Sequence, residues 1–421
     1  MSSNPRTSRP PAFRLDLTGR YRRGTVWSAL FLTVTLLSVF FLATLIWTIV
    51  NDSFGYVILV NETDPVSLAR DGKTLEELDA AGLVAVLEEN LPGRRLRSLG
   101  NENPLAERSR EDLYAIVMTE VVNPEVKATF DLSESILGRE SILEILEQDY
   151  PDGTLIFRSW LNLDFLRAAQ SSVAIAAGVR GAILGTLMTI LVTIVIAFPI
   201  GIGAAIFLEE YAKDNRMNRI IRINIYNLAG VPSIIYGMLG LALFVRLAEP
   251  FTSGTLFGAA ADSTTANGRT VLSAGLTLAL LILPVIIINA QEALRAVPGI
   301  LRQSSLAVGA TKWQTVWHHV LPASFDRILT GTVLAVSRAI GETAPLVVVG
   351  ASTFLSQDPT SIFSKFTTLP IQIYQWTARP QEEFRRIAAA AILVLLILML
   401  SLNAIAIVLR NRIRTKKRFS R

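Results

Sequence analysis

The chain of 421 residues contains no cysteine and only two histidines, His318 and His319. Without cysteine there are no disulfides, thiolate zinc sites, iron–sulfur clusters or thiol nucleophiles. Two histidines leave little for a metal centre or a histidine-based catalytic triad. Charged residues make up only 18% of the chain, whereas hydrophobic residues make up 51%. This apolar excess indicates a chain in contact with lipid, and we expect no catalytic residues, no metal and no cofactor.

The few charges are unevenly distributed. Residues 51–170 hold 23 acidic and 11 basic residues, a net charge of −12, and the remainder of the chain carries +17. Arginines gather near both ends, from Arg6 to Arg23 and from Arg410 to Arg421. Basic tails can bind nucleic acid, but tails beside long apolar runs are better explained by the tendency of basic residues to stay on the cytoplasmic side of a membrane.

Six apolar runs are long enough to cross a bilayer whose hydrocarbon core is about 30 Å thick. The first has 25 residues without a charge, and it lacks a signal-peptide cleavage pattern, so we expect an uncleaved anchor. The second run, 181–208, is interrupted by Pro199. The third run, 220–245, contains Arg222 and Pro232. The prolines remove backbone hydrogen bonds, so we expect kinks at both. The predicted crossings are residues 26–50, 181–208, 220–245, 271–290, 328–351 and 387–409.

Six crossings place both termini on one side of the membrane, and the basic tails make that side cytoplasmic. The chain then divides into a cytoplasmic tail (1–25), an anchor helix (26–50), an acidic extracytoplasmic domain (51–170), a core with five more crossings (171–410) and a second tail (411–421). A loop at 292–322 falls inside the cell. The charge pattern predicts a multi-pass membrane protein with both termini in the cytoplasm.

The acidic segment of residues 51–170 is long enough for a domain. Tyr56–Val60 reads as a strand, and helical spacing appears at 75–91, 104–122 and 133–146, with mixed signals at 154–166. We therefore predict a small α+β domain. An extended acidic linker is the alternative, but Leu83, Val86 and Leu87 recur at helical spacing and indicate a core.

Two glycine-containing motifs give little support for a nucleotide-binding site. Gly72-Lys73-Thr74 resembles the end of a phosphate-binding loop, but Ser67 stands where that loop needs a glycine. Any ATP must therefore be hydrolysed by another chain. Gly201-Ile202-Gly203 lies inside an apolar run, where glycines favour close helix packing over dinucleotide binding.

Arg338 and Glu342 stand four residues apart in the fifth predicted crossing. At this spacing they share one helix face and can pair. A charge near the bilayer centre costs about 2.5–3.5 kcal/mol, and such residues usually face a bundle interior or a pathway. Two interpretations stay open: a buried ion pair that fixes helix rotation, or a place on an anion route where the Arg338 guanidinium donates two bonds to an oxyanion. Arg180 and Arg222 lie near crossing ends, where we expect them to snorkel.

The loop between the fourth and fifth crossings predicts a helix-turn-helix. Pro298 suits the start of a short helix, Gly309 its left-handed end and Pro322 the start of the next element. Leu306, Val308 and Trp313 are apolar where no lipid requires it, which indicates a docking surface rather than a DNA-binding motif.

This loop resembles the EAA loop of ABC importer permeases. Gly309 and Leu321-Pro322 fall in register with that motif, whereas Gln303-Ser304-Ser305 occupies the glutamate-alanine-alanine triplet and His319 the isoleucine position. The runs 208–212, 306–315, 338–346 and 369–374 are further similar to the PstA-type permease subunits of bacterial phosphate importers. The resemblance covers about residue 181 to the C-terminus, and the 51–170 insertion departs from it.

The resemblance implies an all-α integral membrane protein with six transmembrane helices, a MetI-like permease core and the small α+β insertion. It implies a non-enzymatic subunit of an ATP-driven phosphate importer in a bacterial inner membrane, assembled with a second permease, two ATPase subunits and an extracytoplasmic phosphate-binding protein. Arg338 and Glu342 would line the substrate pathway. The ATPase-coupling residues would be Gln303, Ser304, Ser305, Leu306, Gly309, Ala310, Lys312, Trp313, Leu321 and Pro322.

Other functions stay open at this point. The chain could carry another oxyanion such as sulfate or molybdate, or it could be a stand-alone channel or proton-coupled carrier. A membrane sensor with an extracytoplasmic ligand domain is the alternative from a different class, although the short tails offer no output domain. The acidic insertion would repel phosphate, so docking of a binding protein, contact with the partner permease and support of an outer gate remain its candidate roles.

Overall fold

The computed structural model describes residues 17–70, 72–102, 104–105, 108–258, 267–351, 355 and 358–419, which are mostly helical. Of the two predicted basic tails, residues 1–16, 420 and 421 lie outside the described residues. The chain divides into two compact units after Val50. Its helices and strands are α1 (Leu17–Asp52), β1 (Phe54–Asn61), α2 (Ala80–Asn90), α3 (Gly93–Glu102), α4 (Arg110–Val117), β2 (Pro124–Thr129), α5 (Leu132–Leu137), α6 (Arg139–Asp149), β3 (Thr154–Ser159), α7 (Leu163–Arg167), α8 (Arg180–Ile206), α9 (Arg216–Ala229), α10 (Ser233–Gly240), α11 (Glu249–Thr252), α12 (Val271–Arg295), α13 (Gly299–Ala307), α14 (Lys312–Thr315), α15 (Leu321–Gly341), α16 (Ala344–Val349), α17 (Leu369–Thr377) and α18 (Glu382–Phe419).

Five helical segments are long and apolar enough to span a membrane, and a bent pair makes a sixth if it is taken as one span. The predicted helical membrane protein is therefore confirmed. In α1, Phe40 and Phe41 are 62% and 66% exposed, which suits a helix whose surroundings are lipid rather than water. The five segments are Tyr21–Asp52, Arg180–Tyr211, Val271–Arg295, Lys312–Gly341 and Glu382–Arg412.

The third predicted crossing, 220–245, is interrupted at Pro232, where we expected a kink. It is two helical segments, Arg216–Ala229 and Ser233–Leu247, bent by 104°. Pro232 stands at the break because it has no N–H and its ring would clash with the carbonyl of Leu228. The hydroxyl of Tyr236 donates to that Leu228 carbonyl instead, at 2.7 Å. Helix α9 has no buried residue and turns away from the direction in which α10 runs.

The bounds predicted for the fifth crossing, 328–351, are wrong. Helix α15 ends at Gly341, and Glu342 has an extended backbone with φ −76° and ψ 120°. Pro345 would clash with the Gly341 carbonyl if the helix continued, and it occupies the first turn of α16, where proline is tolerated. The spanning segment extends instead in the opposite direction, back to Lys312.

Helix α12 is the most buried of the spanning segments and packs against α8, α9, α10, α15 and α16. Small residues permit the close approach of α8. A Cβ at Gly201 would lie 2.6 Å from Cγ2 of Ile286, and the hydroxyl of Thr193 donates to the Gly275 carbonyl at 3.1 Å. The close packing expected at Gly201 is confirmed, whereas a Cβ at Gly203 would meet no atom within 4 Å.

The acidic segment contains a three-stranded antiparallel sheet with strand order β2-β1-β3. The predicted strand and the predicted α+β character are confirmed. The predicted helix 133–146 is divided into α5 and α6 at Gly138, and α5 begins with a capping box in which Asp131 accepts from Glu134 N. The alternative of an extended linker is wrong, because Leu83, Val86 and Leu87 are buried in a core as their spacing predicted.

The sheet also shares a hydrophobic core with the membrane-spanning part. Val57 and Phe165 belong to one buried cluster with Trp376 of α17 and Phe384 of α18. The rings of Phe165 and Trp376 lie 6.0 Å apart. At the start of α18, the largely buried Arg386 donates from Nη1 to Oδ1 of Asp52 at 3.1 Å. The sheet is therefore fixed to α17 and α18 by side-chain contacts rather than only by the chain.

The packing of α8 predicts different effects for two glycine-to-alanine changes in the same helix. At Gly185 a Cβ would lie 2.1 Å from the Thr367 carbonyl oxygen, a backbone atom that cannot move aside freely. We expect Gly185→Ala to lower the free energy of unfolding by about 1–3 kcal/mol. Gly203→Ala is the matched control and should be neutral or slightly stabilising, because alanine favours helix by about 1 kcal/mol. Equal melting temperatures of the two variants in detergent would contradict this packing.

Candidate functional site

The chain leaves α12 and forms a hairpin, here defined as residues 298–322. Its first arm is α13, which begins directly after Pro298. The arm ends in a Schellman motif: Gly309 N donates to the Leu306 carbonyl and Ala310 N to the Ser305 carbonyl, at 3.0 and 3.2 Å. Gly309 has φ +89°, a conformation that disfavours residues with a side chain. The predicted helix, left-handed turn and second helix are confirmed.

The second arm of the hairpin is continuous with a membrane-spanning helix. Thr311 caps α14 through a capping box with Gln314, and a π-helical turn, Val316–Val320, joins α14 directly to α15. Pro322 lies in the first turn of α15, as expected for a proline at the start of a helix, and α14, the π-helical turn and α15 form one continuous helical rod. The wider turn before Pro322 accommodates a residue that cannot donate an N–H to the preceding turn.

The tip of the hairpin exposes apolar side chains. Trp313 and Trp317 are 58% and 51% exposed, and their rings stack with centroids 5.3 Å apart. Leu306 and Val308 are exposed as predicted, and Ile300, at the start of α13, is exposed as well. Trp317 was missed by the sequence analysis, although its spacing of four residues from Trp313 places both on one helix face. Exposed apolar side chains clustered in this way are typical of a protein–protein interaction site.

The other predicted hairpin residues occupy distinct positions. Gln303 and Ser304 are exposed on α13, whereas Ser305 is buried, with its hydroxyl 3.0 Å from that of Thr315 in the second arm. Leu321 packs against the buried cluster beneath the hairpin. The side chain of Lys312 reaches the turn that follows α8, where its Nζ donates to the Glu210 carbonyl at 3.2 Å. The triplet therefore presents two polar side chains outward and uses the third to join the arms.

Two ion pairs tie the hairpin region to the end of α8, and the sequence analysis missed both. Arg295 donates two bonds of 2.7 Å to the carboxylate of Glu209. Arg302 donates from Nη2 to Oε1 of Glu210 at 2.8 Å. Glu209 and Glu210 lie in a π-helical turn, Phe207–Tyr211, at the end of α8. The partners are 86 and 92 residues apart in the chain, so no local pattern indicates them.

Arg338 and Glu342 are brought together at the far end of the rod that begins in the hairpin. Nε of Arg338 lies 3.3 Å from Oε1 of Glu342, and the Arg338 side chain is 52% exposed. Glu342 is beyond the helix end, so the pair spans a helix terminus rather than one helix face. Neither Nη group of Arg338 has a hydrogen bond to another described residue. As far as the described part of the chain shows, both groups keep donors for an anion.

The exposed side of α15 forms one stripe along the helix. It combines charged and polar side chains with small and apolar ones, which differs from the uniformly apolar surface of a helix that faces lipid. Thr330 in this stripe accepts a hydrogen bond from Arg410 of α18 at 2.9 Å. The stripe consists of Ala323, Arg327, Thr330, Leu334, Arg338 and Gly341.

The remaining predicted charges have defined partners. Arg180 pairs with Asp358 at 2.7 Å and does not merely snorkel as expected. Arg222 donates to the Leu208 carbonyl and lies 3.9 Å from Glu209. Within the described residues, no group of three or more histidine, cysteine or acidic side chains is placed to hold a metal ion.

Comparison with known proteins shows similarity to transport components. Residues 197–416 match the family model of the binding-protein-dependent transport system inner membrane component. The chain is 32% identical over 233 residues to phosphate transport system permease protein PstA of Yersinia pestis, an alignment that covers 55% of this chain and 72% of that protein.

Two further relatives match at similar identity. Phosphate transport system permease protein PstA 1 of Mycobacterium tuberculosis is 34% identical over 52% of this chain and 66% of its own length. Phosphate transport system permease protein PstC of Pasteurella multocida is 34% identical over 51% of this chain and 71% of its own length. Among solved structures, an inward-facing MetNI methionine ABC transporter chain matches with a TM-score of 0.41 and 19% identity, over 56% of this chain and 95% of that one.

The turn of the hairpin predicts different effects for two alanine substitutions. Neither Gly299 nor Gly309 would bring a Cβ within 4 Å of another atom, but only Gly309 has a positive φ. We therefore expect Gly309→Ala to destabilise the turn by about 1–2 kcal/mol through backbone strain alone. Hydrogen exchange of the hairpin amides should become faster in this variant. The Gly299→Ala control should exchange like the unmodified chain, and equal exchange in both variants would contradict a strained turn.

Proposed function

Because the chain belongs to the family of binding-protein-dependent transport system inner membrane components, as a permease subunit of an ABC importer, we propose that it carries phosphate in an ATP-driven importer. One observation carries the coupling part of this proposal. A single helical rod has an exposed tryptophan pair near one end and the half-exposed Arg338 near the other. At about 1.5 Å per residue, Trp313 and Arg338 are about 37 Å apart along it.

The tryptophan end is the proposed ATPase contact. The hairpin tip would insert into a groove of an ATPase subunit, and closure of the ATPase dimer would push on the rod. The proposed coupling residues are Gln303, Ser304, Ser305, Leu306, Gly309, Ala310, Lys312, Trp313, Leu321 and Pro322. ATP is hydrolysed in that separate chain, and this subunit itself catalyses no reaction.

The arginine end is the proposed phosphate contact. The stripe of α15 that carries Arg338 would face a second, related permease, and the anion would pass between the two chains. The guanidinium offsets the desolvation of phosphate with two donated hydrogen bonds. The third nitrogen of the guanidinium, Nε of Arg338, lies 3.3 Å from Oε1 of Glu342. The negative charge of Glu342 limits how tightly the anion is held. Release is then possible at the same point where binding occurs.

The assembly and its orientation are part of the proposal. Both termini and the hairpin lie in the cytoplasm, and the acidic segment lies outside, where an extracytoplasmic phosphate-binding protein docks. Two ATPase subunits complete the complex. Relatives named PstA and PstC match at similar identity, and the assignment to the PstA type rests on the runs 208–212, 306–315, 338–346 and 369–374.

The function is tested by uptake of radiolabelled phosphate into vesicles that contain the assembled complex. We expect accumulation only when ATP is present on the side of the hairpin. Unlabelled phosphate should compete, whereas sulfate and molybdate should not. Uptake without ATP would indicate a carrier or channel, and competition by sulfate or molybdate alone would indicate a permease for another oxyanion. Either result would contradict the proposed function.

The role of Arg338 is tested by substitution. We expect Arg338→Gln to lower the initial rate of phosphate uptake about tenfold or more, since a charge-assisted hydrogen bond contributes about 1.5–3 kcal/mol. Assembly with the partner subunits should persist, because half of this side chain is exposed. Arg338→Lys, the control that keeps the charge but not the two-pronged geometry, should retain part of the uptake. Unchanged uptake in Arg338→Gln would leave Arg338 a purely structural residue.

A further inference from the structure

The end of α8 meets the end of α12 at Glu209. Its side chain is only 10% exposed, and both carboxylate oxygens accept hydrogen bonds from Arg295, at 2.7 Å each. Arg222 of α9 lies 3.9 Å from the same carboxylate and donates to the carbonyl of Leu208. Glu209 therefore connects three helices at one point. A two-bond arginine pair fixes orientation as well as distance.

The next residue, Glu210, meets both arms of the hairpin. Its side chain is 12% exposed and pairs with Arg302 of α13. The same guanidinium donates to the carbonyls of Leu294 and Val297, at 2.8 Å each, which lie where α12 ends. Lys312 of α14 donates to the backbone carbonyl of Glu210. Glu210 thus holds both arms of the hairpin, and its partner Arg302 joins the pair to the end of α12.

The local helix geometry allows two adjacent carboxylates to reach different partners. Glu209 and Glu210 lie in the π-helical turn Phe207–Tyr211, and neighbouring helical residues point in directions roughly 80–100° apart. A buried apolar cluster lies beneath the pairs and includes Leu208, Leu294 and Val320. The ion pairs and this cluster join the same elements, so the contact is continuous from the membrane helices to the hairpin.

We propose that Glu209 and Glu210 form a clamp that makes the end of α8 move with the hairpin, so that a push on the tip reaches α8 as well as α12 and α15. The proposal rests on the proposed function, since it assigns a route to the ATPase movement. Glu209 and Glu210 are positioning residues in this scheme and touch no substrate.

The clamp stays closed during transport because opening it is costly. Separation of Glu210 from Arg302 would leave two mostly buried charges without their partners, since the two side chains are 12% and 24% exposed. The far end of α8 carries the movement onward. Thr186 of α8 accepts a hydrogen bond from Leu369 N at 3.0 Å, and Gly185 lies directly against the Thr367 backbone. A shift of α8 therefore reaches the start of α17.

The test is a double-mutant cycle on the assembled complex in vesicles, with phosphate imported per ATP hydrolysed as the readout. We expect Glu210→Ala and Arg302→Ala each to lower this ratio about threefold or more while ATP hydrolysis continues. The double variant should be no worse than the poorer single variant, because both remove the same interaction. A side chain that only supports folding would lower the amount of complex and leave the ratio per assembled complex unchanged.

A remote ion pair provides the matched control. Arg95 and Glu120 in the acidic segment also form a two-bond pair, so Arg95→Ala and Glu120→Ala remove an arginine–glutamate pair away from the hairpin. Both control variants should keep the ratio of the unmodified complex. A fall in the controls equal to that in the Glu210 and Arg302 variants would overturn the clamp.

The remaining outcomes also decide the proposal. If an alanine variant does not assemble, Glu210→Gln and Arg302→Lys replace it, because they retain hydrogen-bonding groups of similar size. Failure of these variants to assemble would make the pair a folding element only and would overturn the clamp. An unchanged ratio in the assembled variants would overturn the clamp alone. An unmodified complex that imports no phosphate with ATP would overturn the proposed function and the clamp with it.

Discussion

The burial of α12 among its neighbours is the constraint on which the membrane-spanning part depends. Lipid provides little hydrophobic force between helices, so α12 is held by close packing and by hydrogen bonds across the helix contacts. Thr193 bonds to the carbonyl of Gly275, and Gly201 admits Ile286 at a distance that no side chain would allow. On its other side, α12 packs against α15. Because the hairpin connects these two packed helices, its position follows from the burial of α12.

The hairpin is consequently a rigid projection rather than a loose loop. One arm returns directly into the rod that ends at Gly341, and the other is held by Arg302, which bonds to Glu210 and to two carbonyls at the end of α12. A force at Trp313 cannot be absorbed by the turn, because the Schellman motif at Gly309 satisfies the backbone groups that a flexible loop would leave to water. In the proposed importer, a force applied at the tip would therefore reach the membrane helices.

Features set by neighbouring residues could be predicted from the sequence, and features set by distant contacts could not. Pro298 and Gly309 define a helix start and end through their own backbone preferences, so the hairpin was predicted correctly. Hydropathy shows that residues 220–245 and 328–351 are apolar but not whether the chain continues in one direction. A kink was therefore expected at Pro232 but not a bend of 104°, and the break before Pro345 was not predicted. The partners of Glu209 and Glu210 lie 86 and 92 residues away, and their pairing depends on how α8 and α12 pack.

The acidic segment is also held to the membrane-spanning part by side-chain contacts. Its sheet shares a buried core with α17 and α18, and Arg386 joins Asp52 to the start of α18. A segment attached in this way cannot act as a freely hinged lid over the bundle, because its movement would expose Trp376 and Phe384. Its net charge of −12 would repel a free phosphate anion, which disfavours capture of the proposed substrate at this surface. A protein that binds this sheet would instead act on α17 and α18 directly, and through Leu369 on the same α8 that the hairpin holds at its other end.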